Sequence, residues 1–120
     1  MRARLRAWGP LFLWAAIIFA LSSRPTLPVS LGSGRDKLAH FLAYALLGAL
    51  AARALPRREL APLAVLLGVA YGASDELHQH FVPGRSVEFG DWIADSLGVC
   101  AGVFLQRFWR GPRHASLRAN

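Results

Sequence analysis

The apolar residues of this chain come in long blocks, separated by short polar segments. Such blocks differ from the alternation of a half-buried strand and from the single apolar stripe of a soluble helix. A membrane-crossing helix needs about 17–25 predominantly apolar residues, and four blocks reach or approach that length, at about residues 5–22, 38–55, 60–77 and 89–108. Hydrophobic residues make up 54% of the chain, which agrees with this interpretation. We therefore predict an all-α polytopic membrane protein with a four-transmembrane-helix bundle over residues 1–110 and a basic tail over 111–120.

The first apolar block could also belong to a signal peptide, because a basic start and an apolar centre characterise both. However, Ala20-Leu21-Ser22 is a poor cleavage sequence and Trp14 is bulky. We therefore expect a retained helix. Proline, glycine and serine predict a loop over Ser22–Lys37, and Pro56–Glu59 reads as a short basic turn.

The basic residues predict the orientation of the four spans. With the N-terminus in the cytoplasm, ten of the fourteen lysines and arginines lie on the cytoplasmic side and four lie outside. The positive-inside rule favours this arrangement, in which both termini are cytoplasmic. It also accounts for most of the net charge of +7. That charge would suggest nucleic acid in a soluble protein, but here we expect no nucleic-acid partner.

The acidic residues show the opposite bias. In this orientation six of the seven, and three of the four histidines, lie at the outer face, and most of them fall within Asp75–Asp95. Acidic residues have little influence on topology, and charged groups near hydrocarbon usually serve a function. We therefore expect a site that faces the extracytoplasmic side. The single Cys100 excludes an intramolecular disulfide and a cysteine metal site.

Helical spacing groups these polar residues into stripes. At 100° per residue, residues four or seven apart lie on one face of a helix. The stripes are Asp36, His40 and Tyr44 on the second helix, Gly68, Gly72, Asp75 and Gln79 on the third, and Asp91, Asp95, Gly98 and Gly102 on the fourth. GxxxG pairs permit close backbone approach in membranes. We therefore expect the third and fourth helices to pack through their glycines and to bring the carboxylates to one location.

Some of the polar residues also have a purely structural interpretation. We expect Glu76, Glu88 and His80 to cap helix ends at the headgroup level. Asp95 lies one turn deeper than Asp91, and a buried carboxylate needs a partner; the candidates are His40, His78, Arg85 and a metal ion. Val82–Arg85 predicts a turn, which is either a plain connection or a device that aims Arg85 at the acidic cluster.

Several motifs, in order along the chain, resemble the VanZ-like family of bacterial membrane proteins. They are SSRP from Ser22, DKLAHFLAYALLG at Asp36–Gly48, DELHQHFVPGR at Asp75–Arg85 and DWIADSLGVCAG at Asp91–Gly102. The family pattern often has Asn in place of Asp95. The resemblance implies a multi-pass protein of the bacterial cytoplasmic (inner) membrane. The family's namesake is associated with teicoplanin resistance, and VanZ-like domains have been proposed to act on lipid headgroups or lipid-linked wall precursors.

The resemblance and the residue types together suggest an enzyme that acts on a phosphate-linked lipid. His78 or His40 would transfer protons, oriented by Asp75 or Asp36, while Arg85 and Lys37 would neutralise phosphoryl oxygens. A divalent cation could be held by carboxylates. The predicted catalytic residues are Asp36, His40, Asp75, Glu76, His78 and Asp91; the predicted substrate-binding residues are Lys37, Tyr44, Gln79 and Arg85; the metal candidates are Asp75, Glu76, Asp91 and Asp95.

Three other functions stay open at this point. The same pocket could bind a lipid-linked ligand or a lipoglycopeptide-type antibiotic without catalysis. It could belong to an ion- or proton-coupled transporter, although the sequence shows no inverted repeat or broken helix. The chain could also be purely structural. Nothing in the sequence indicates an oligomeric state.

Overall fold

The computed structural model describes residues 1–24, 32–85 and 88–109, with the backbone alone for residues 32–35. In this part of the chain four long α-helices follow one another: α1 (Arg2–Ser22), α2 (Gly32–Ala54), α3 (Ala61–His80) and α4 (Phe89–Trp109). A short 3-10 helix, Arg58–Leu60, leads into α3. The prediction of an all-α protein is confirmed, and the basic turn at Pro56–Glu59 overlaps the 3-10 helix. The predicted tail, 111–120, lies outside the described residues.

Two of the described helical stretches are long and apolar enough to cross a membrane, namely Arg2–Ser22 and Arg58–His80. The predicted first and third spans coincide with them. The helices α2 and α4 match the predicted second and fourth spans in position, but both carry ionisable groups, such as His40 and Asp95, along their length. Four helices of this length and two membrane-compatible stretches agree with a membrane protein.

The predicted loop Ser22–Lys37 is wrong over its last six residues, because α2 already begins at Gly32. Contacts of Lys37 stabilise this polar first part of α2. The Lys37 ammonium lies 2.8 Å from Glu88, just before α4, and 3.4 Å from Asp91 in the first turn of α4. The helix α3 likewise continues to His80, beyond the predicted end at residue 77. Its last turn packs inside the protein, where Gln79 is only 2% exposed.

The helices α2 and α4 meet backbone to backbone. A methyl group on Gly98 would overlap the carbonyl oxygen of Phe41, and one on Gly102 would overlap the carbonyl oxygen of Ala45. From the other side, a methyl group on Gly48 would overlap the backbone of Val99. Contacts this close require glycine at the crossing. They make α2 and α4 the tightest helix pair of the bundle.

The expectation that α3 and α4 pack through both GxxxG pairs is therefore wrong for α4. Its glycines face α2, which offers a complementary surface of small residues. The glycines of α3 instead make room for side chains, because Gly68 faces the methyl groups of Val99 and Gly72 faces the rings of Tyr44 and Trp92. Both arrangements still bring the polar ends of the helices together.

Aromatic side chains tie the other helix pairs together by donating hydrogen bonds to backbone carbonyl groups. The pairs are Trp14 Nε1 with Ala43 O at 2.8 Å, Trp92 Nε1 with Val69 O at 3.2 Å, and Tyr71 OH with Ala15 O. These bonds join α1 to α2, α4 to α3 and α3 to α1. Tyrosine and tryptophan combine a large apolar surface with one polar atom, so they can bridge helices without leaving an unpaired donor.

Candidate functional site

A cavity of about 140 Å³ lies at one end of the bundle, where α1 and α3 end and α2 begins. Much of its surface is apolar, and we call it the polar cavity after the polar side chains that reach it. Six polar residues that the sequence predicted for the site line it: Asp36, His40, Tyr44, Asp75, Gln79 and Arg85. The remaining walls include Ile18, Leu21 and Ser22 of α1. Sequence analysis assigned no function to these α1 residues, although Ser22 begins the SSRP motif.

His40 and Asp95 form the central pair of the site. The Nδ1 atom of His40 lies 2.8 Å from Asp95 Oδ1, and its Nε2 atom lies 4.0 Å from Asp91 Oδ2. Asp95 is fully buried, so the predicted need for a partner is met by His40. The aspartate that orients the His40 imidazole was predicted to be Asp75 or Asp36, and that prediction is wrong, because Asp95 holds this position.

Tyr44 and Asp75 form a second buried pair, in which the tyrosine hydroxyl donates to Asp75 Oδ2 at 3.2 Å. Tyr44 is 1% exposed and Asp75 is 4% exposed. The other oxygen of Asp75, Oδ1, has no hydrogen-bond partner among the described residues. Asp75 is one of the residues that line the cavity, so an acceptor without a partner lies beside it.

Glu76 is buried within α3 and does not cap a helix end, so that interpretation is wrong. It is 7% exposed, and neither of its carboxylate oxygens has a hydrogen-bond partner in the described part of the chain. The helix continues for four more residues, which carries Glu76 into the bundle beside the His40–Asp95 pair. His80 does lie at the exposed end of α3, with its ring edge-on to Phe81.

Glu88 immediately precedes α4, and its side chain forms an ion pair with Lys37 at the rim of the site. The Lys37 ammonium also reaches Asp91, and it connects the start of α2 to the start of α4. The hydrogen bond from Lys37 holds the pKa of Glu88 below its ordinary value of 4.5, and the same hydrogen bond raises the pKa of Lys37 above 10.5.

These shifts predict a pH-dependent contribution of Glu88 to stability. Its carboxylate is favoured by folding, so the contribution is complete above pH 4.5 and is lost as the pH falls through the lower folded-state pKa. We expect Glu88→Gln to lower the Tm in detergent at pH 7 slightly, because exposed ion pairs are weak. The difference from wild type should disappear in acid. The exposed Glu59→Gln is the control, and a pH-independent difference for Glu88→Gln would contradict the ion pair.

His78 points away from the acidic cluster. Its Nε2 atom lies 2.9 Å from the Ser23 hydroxyl, and its ring stacks on Phe19 at a centroid distance of 4.6 Å. It therefore joins the end of α3 to the end of α1. The predicted pairing of His78 with Asp75 or Asp36 is not found, and its predicted catalytic role lacks the geometry that His40 has.

The turn after α3 places Arg85 against the cavity, which agrees with the second of the two alternatives for this turn. The Arg85 amide donates to Val82 O at 3.2 Å, and Gly84 has a φ of 79°. Pro83 in the second position and a positive φ in the third match a type II turn. Among the described residues no side chain or backbone group binds the Arg85 guanidinium, which lines the cavity. It is thus a cation available to a ligand.

A second, apolar cavity of about 320 Å³ lies deeper between α1, α2 and α3. Its lining is almost entirely hydrocarbon and comprises Trp8, Leu11, Phe12, Ala15, Leu47, Ala51, Leu67, Gly68 and Tyr71. Tyr71 lines this cavity and Tyr44 lines the polar one, and their ring centroids lie 6.3 Å apart, so the two cavities are close together. A ligand with a polar end and an apolar chain matches this order of surfaces.

Within the described residues, two groups have donor atoms close enough together to hold a metal ion. In each, one donor atom per residue lies within 4.8 Å of the others: Asp36, His40 and Asp91 in the first, and His40, Glu76 and Asp95 in the second. Mixed imidazole and carboxylate donors suit divalent transition metals. Three of the four metal candidates from the sequence, Glu76, Asp91 and Asp95, belong to these groups.

Comparison with known proteins agrees with the motifs. A search of curated proteins and a search of solved structures each found no match. The profile of one family, described as VanZ/LLP1, matches residues 7–110, which include all four helices except the first five residues of α1. That match covers most of the chain and all the residues of the polar site, so the protein belongs to the VanZ/LLP1 family.

Proposed function

We propose that this protein is a membrane enzyme that acts on the phosphate ester of a lipid, as a phosphoester hydrolase or a headgroup transferase. The observation that carries the proposal is the pair of adjoining cavities, one polar and one apolar. The polar cavity, at about 140 Å³, is smaller than the roughly 300–1,000 Å³ of typical ligand sites. It suits a headgroup phosphate, while the apolar cavity suits the start of an acyl or prenyl chain.

Arg85 and Lys37 are the groups that would recognise the phosphate. The Arg85 guanidinium can form two parallel hydrogen bonds to phosphate oxygens. The Lys37 ammonium lies at the rim, where Glu88 and Asp91 hold it in place. Two cations beside a buried acidic cluster would neutralise an anionic headgroup as it enters, and they would stabilise the charge that develops on phosphorus oxygens during transfer.

His40 is the group that would transfer the proton. Asp95 accepts a hydrogen bond from Nδ1–H, which fixes the ring and leaves Nε2 as the basic nitrogen. A water molecule, or the hydroxyl of an acceptor, would lose its proton to Nε2 as its oxygen bonds to phosphorus. The ester P–O bond would then break, and the leaving alkoxide would take a proton from the imidazolium. Tyr44, Asp75 and Gln79 would orient the substrate from the opposite wall.

The proposal places the site at the outer face of the bacterial cytoplasmic membrane, with four spans and both termini inside. The support is the distribution of arginine and lysine, ten of which lie on the inner side in this orientation. Phospholipids and lipid-linked cell-envelope precursors both present phosphate esters there. They share the chemistry that the cavities match, and the experiment below separates them.

The test is turnover by the purified full-length protein in nanodiscs. Labelled phospholipids and undecaprenyl-linked wall precursors would be supplied in separate samples, and headgroup release or exchange would be followed by mass spectrometry. We expect Arg85→Ala to lower kcat/KM by at least about tenfold, since a charge-assisted hydrogen bond to the phosphate is lost. Arg85→Lys should lose less, because it keeps the charge. Arg58→Ala, an exposed arginine before α3, is the matched control.

Each outcome decides between functions. Turnover of one lipid class names the substrate. Equal turnover in Arg85→Ala and Arg58→Ala would remove Arg85 from the site. Saturable lipid binding without turnover would instead support a non-catalytic binder, and neither binding nor turnover with any lipid would overturn the proposal.

A further inference from the structure

We propose that His40, Glu76 and Asp95 form a binding site for one divalent transition-metal ion, Mn²⁺ or Zn²⁺. The three residues come from α2, α3 and α4, and one donor atom of each lies within 4.8 Å of the others. Metal–ligand bonds to imidazole and carboxylate are about 2.0–2.2 Å, so small side-chain rotations would close donors at this spacing around one ion.

The unpaired oxygens of Glu76 point to a cation. Its side chain is 7% exposed, and both carboxylate oxygens lack a hydrogen-bond partner among the described residues. Asp95 is fully buried, and its Oδ2 atom also lacks one, while Oδ1 is bound to His40. Buried carboxylates are normally hydrogen-bonded or coordinate metal ions. Three buried carboxylate oxygens without hydrogen-bond partners therefore lie close together, and they indicate a bound cation.

The charge balance leads to the same conclusion. Asp75, Glu76, Asp91 and Asp95 are each less than one-tenth exposed. In the described part of the chain, two cations contact this acidic cluster. They are Lys37, which forms an ion pair with Asp91, and His40 in its protonated form. A divalent ion would offset the remaining negative charge at the place where the unpaired oxygens meet.

The alternative group, Asp36, His40 and Asp91, is less suited to the ion. Asp91 already forms an ion pair with Lys37, which would compete with a metal ion. Asp36 is only half-buried. Both groups contain His40, whose imidazole favours transition metals over Mg²⁺ or Ca²⁺. The ion would replace the proton that His40 and Asp95 share.

The metal site deepens the proposed function. Only the role of the ion in the reaction rests on that function, whereas binding of the ion does not. A cation bound by His40 would leave the imidazole without a basic nitrogen, so in the metal-bound protein the ion, rather than His40, would activate the attacking water beside the polar cavity. Binding itself needs no substrate, so it can be measured without turnover.

The experiment is a Mn²⁺ titration of chelator-treated, full-length protein in nanodiscs, with free Mn²⁺ measured by electron paramagnetic resonance and Zn²⁺ added as competitor. We expect one Mn²⁺ per chain, displaced by Zn²⁺, and a Tm that rises with Mn²⁺. Glu76→Gln should bind at least about tenfold more weakly, because even second-shell changes cost that much. Glu59→Gln, outside the site, should bind like wild type.

The Tm without metal shows whether a loss of binding reflects misfolding. Glu76→Gln removes an unpaired buried charge, so its metal-free form should unfold cooperatively at or above the wild-type Tm. Wild-type affinity in Glu76→Gln, or no Mn²⁺ or Zn²⁺ binding at millimolar concentration, would overturn the site. Absence of Mn²⁺ and Zn²⁺ binding in protein that still turns over lipid would overturn the site while leaving the proposed function intact. Binding without turnover would do the reverse.

Discussion

His40→Ala should lower turnover by about 100- to 10,000-fold, the range that general acid–base groups contribute. The imidazole lies between Asp95 at 2.8 Å and Asp91 at 4.0 Å and lines the polar cavity. Alanine removes both the basic nitrogen and the only described partner of the buried Asp95 oxygen Oδ1. The measurement is kcat in nanodiscs with the lipid that the wild type turns over, together with a thermal melt that establishes folding.

His78→Ala is the matched control for this prediction. It removes the same side chain at the same end of the bundle, but from a position that contacts Ser23 and Phe19 rather than the acidic cluster. We expect kcat to stay within a few-fold of wild type and the Tm to fall, since the junction of α1 and α3 is weakened. If His78→Ala loses as much turnover as His40→Ala, the assignment of proton transfer to His40 is wrong.

Gly102→Ala should destabilise the protein severely. The added methyl group would overlap the carbonyl oxygen of Ala45 and lie 2.9 Å from the backbone nitrogen of Ala49. Overpacking in a core costs about 1–3 kcal/mol when side chains can move. Here backbone meets backbone, so we expect the upper end of that range or more. The Tm in detergent and the yield of monodisperse protein measure the effect.

Two other glycines calibrate the effect. Gly9→Ala on α1 meets nothing within 4 Å, and alanine favours helix over glycine by about 1 kcal/mol, so the Tm should not fall. Gly68→Ala would meet the Val99 methyl groups, the nearest at 2.6 Å. Its loss should be intermediate, because a side chain can shift more readily than a helix backbone. Equal Tm values for Gly102→Ala and Gly9→Ala would contradict the close α2–α4 crossing.

Much of the fold follows from local features of the sequence. The apolar blocks predicted four helices, and their positions agree with the structure to within a few residues except at the start of α2. The predicted start of the second helix was placed at residue 38, where the run of apolar residues begins. The helix extends further, since Lys37 gains partners on another element. A contact between residues more than fifty positions apart leaves no signal in local composition.

The composition of the site was also largely predictable, whereas its pairings were not. Helical spacing placed Asp36, His40 and Tyr44 on one stripe, and all three line the cavity. The choice between His40 and His78 as the partner of an aspartate depends on the rotation of α3 against α1 and α2. Periodicity alone does not determine that rotation, because it depends on packing between helices, such as that of Gly68 against Val99 and Gly72 against Tyr44.

The glycine-mediated contact of α2 and α4 holds in place the two groups that would react under the proposed function, and α1 takes no part in it. His40 and Asp95 stand on the two helices that are locked together, so their separation is fixed by the backbone itself. The helix α1 supplies only wall residues to the polar cavity, such as Ile18 and Leu21. Changes on α1 should therefore alter how fast a lipid enters from the side, and which chain it carries, without altering the chemical step.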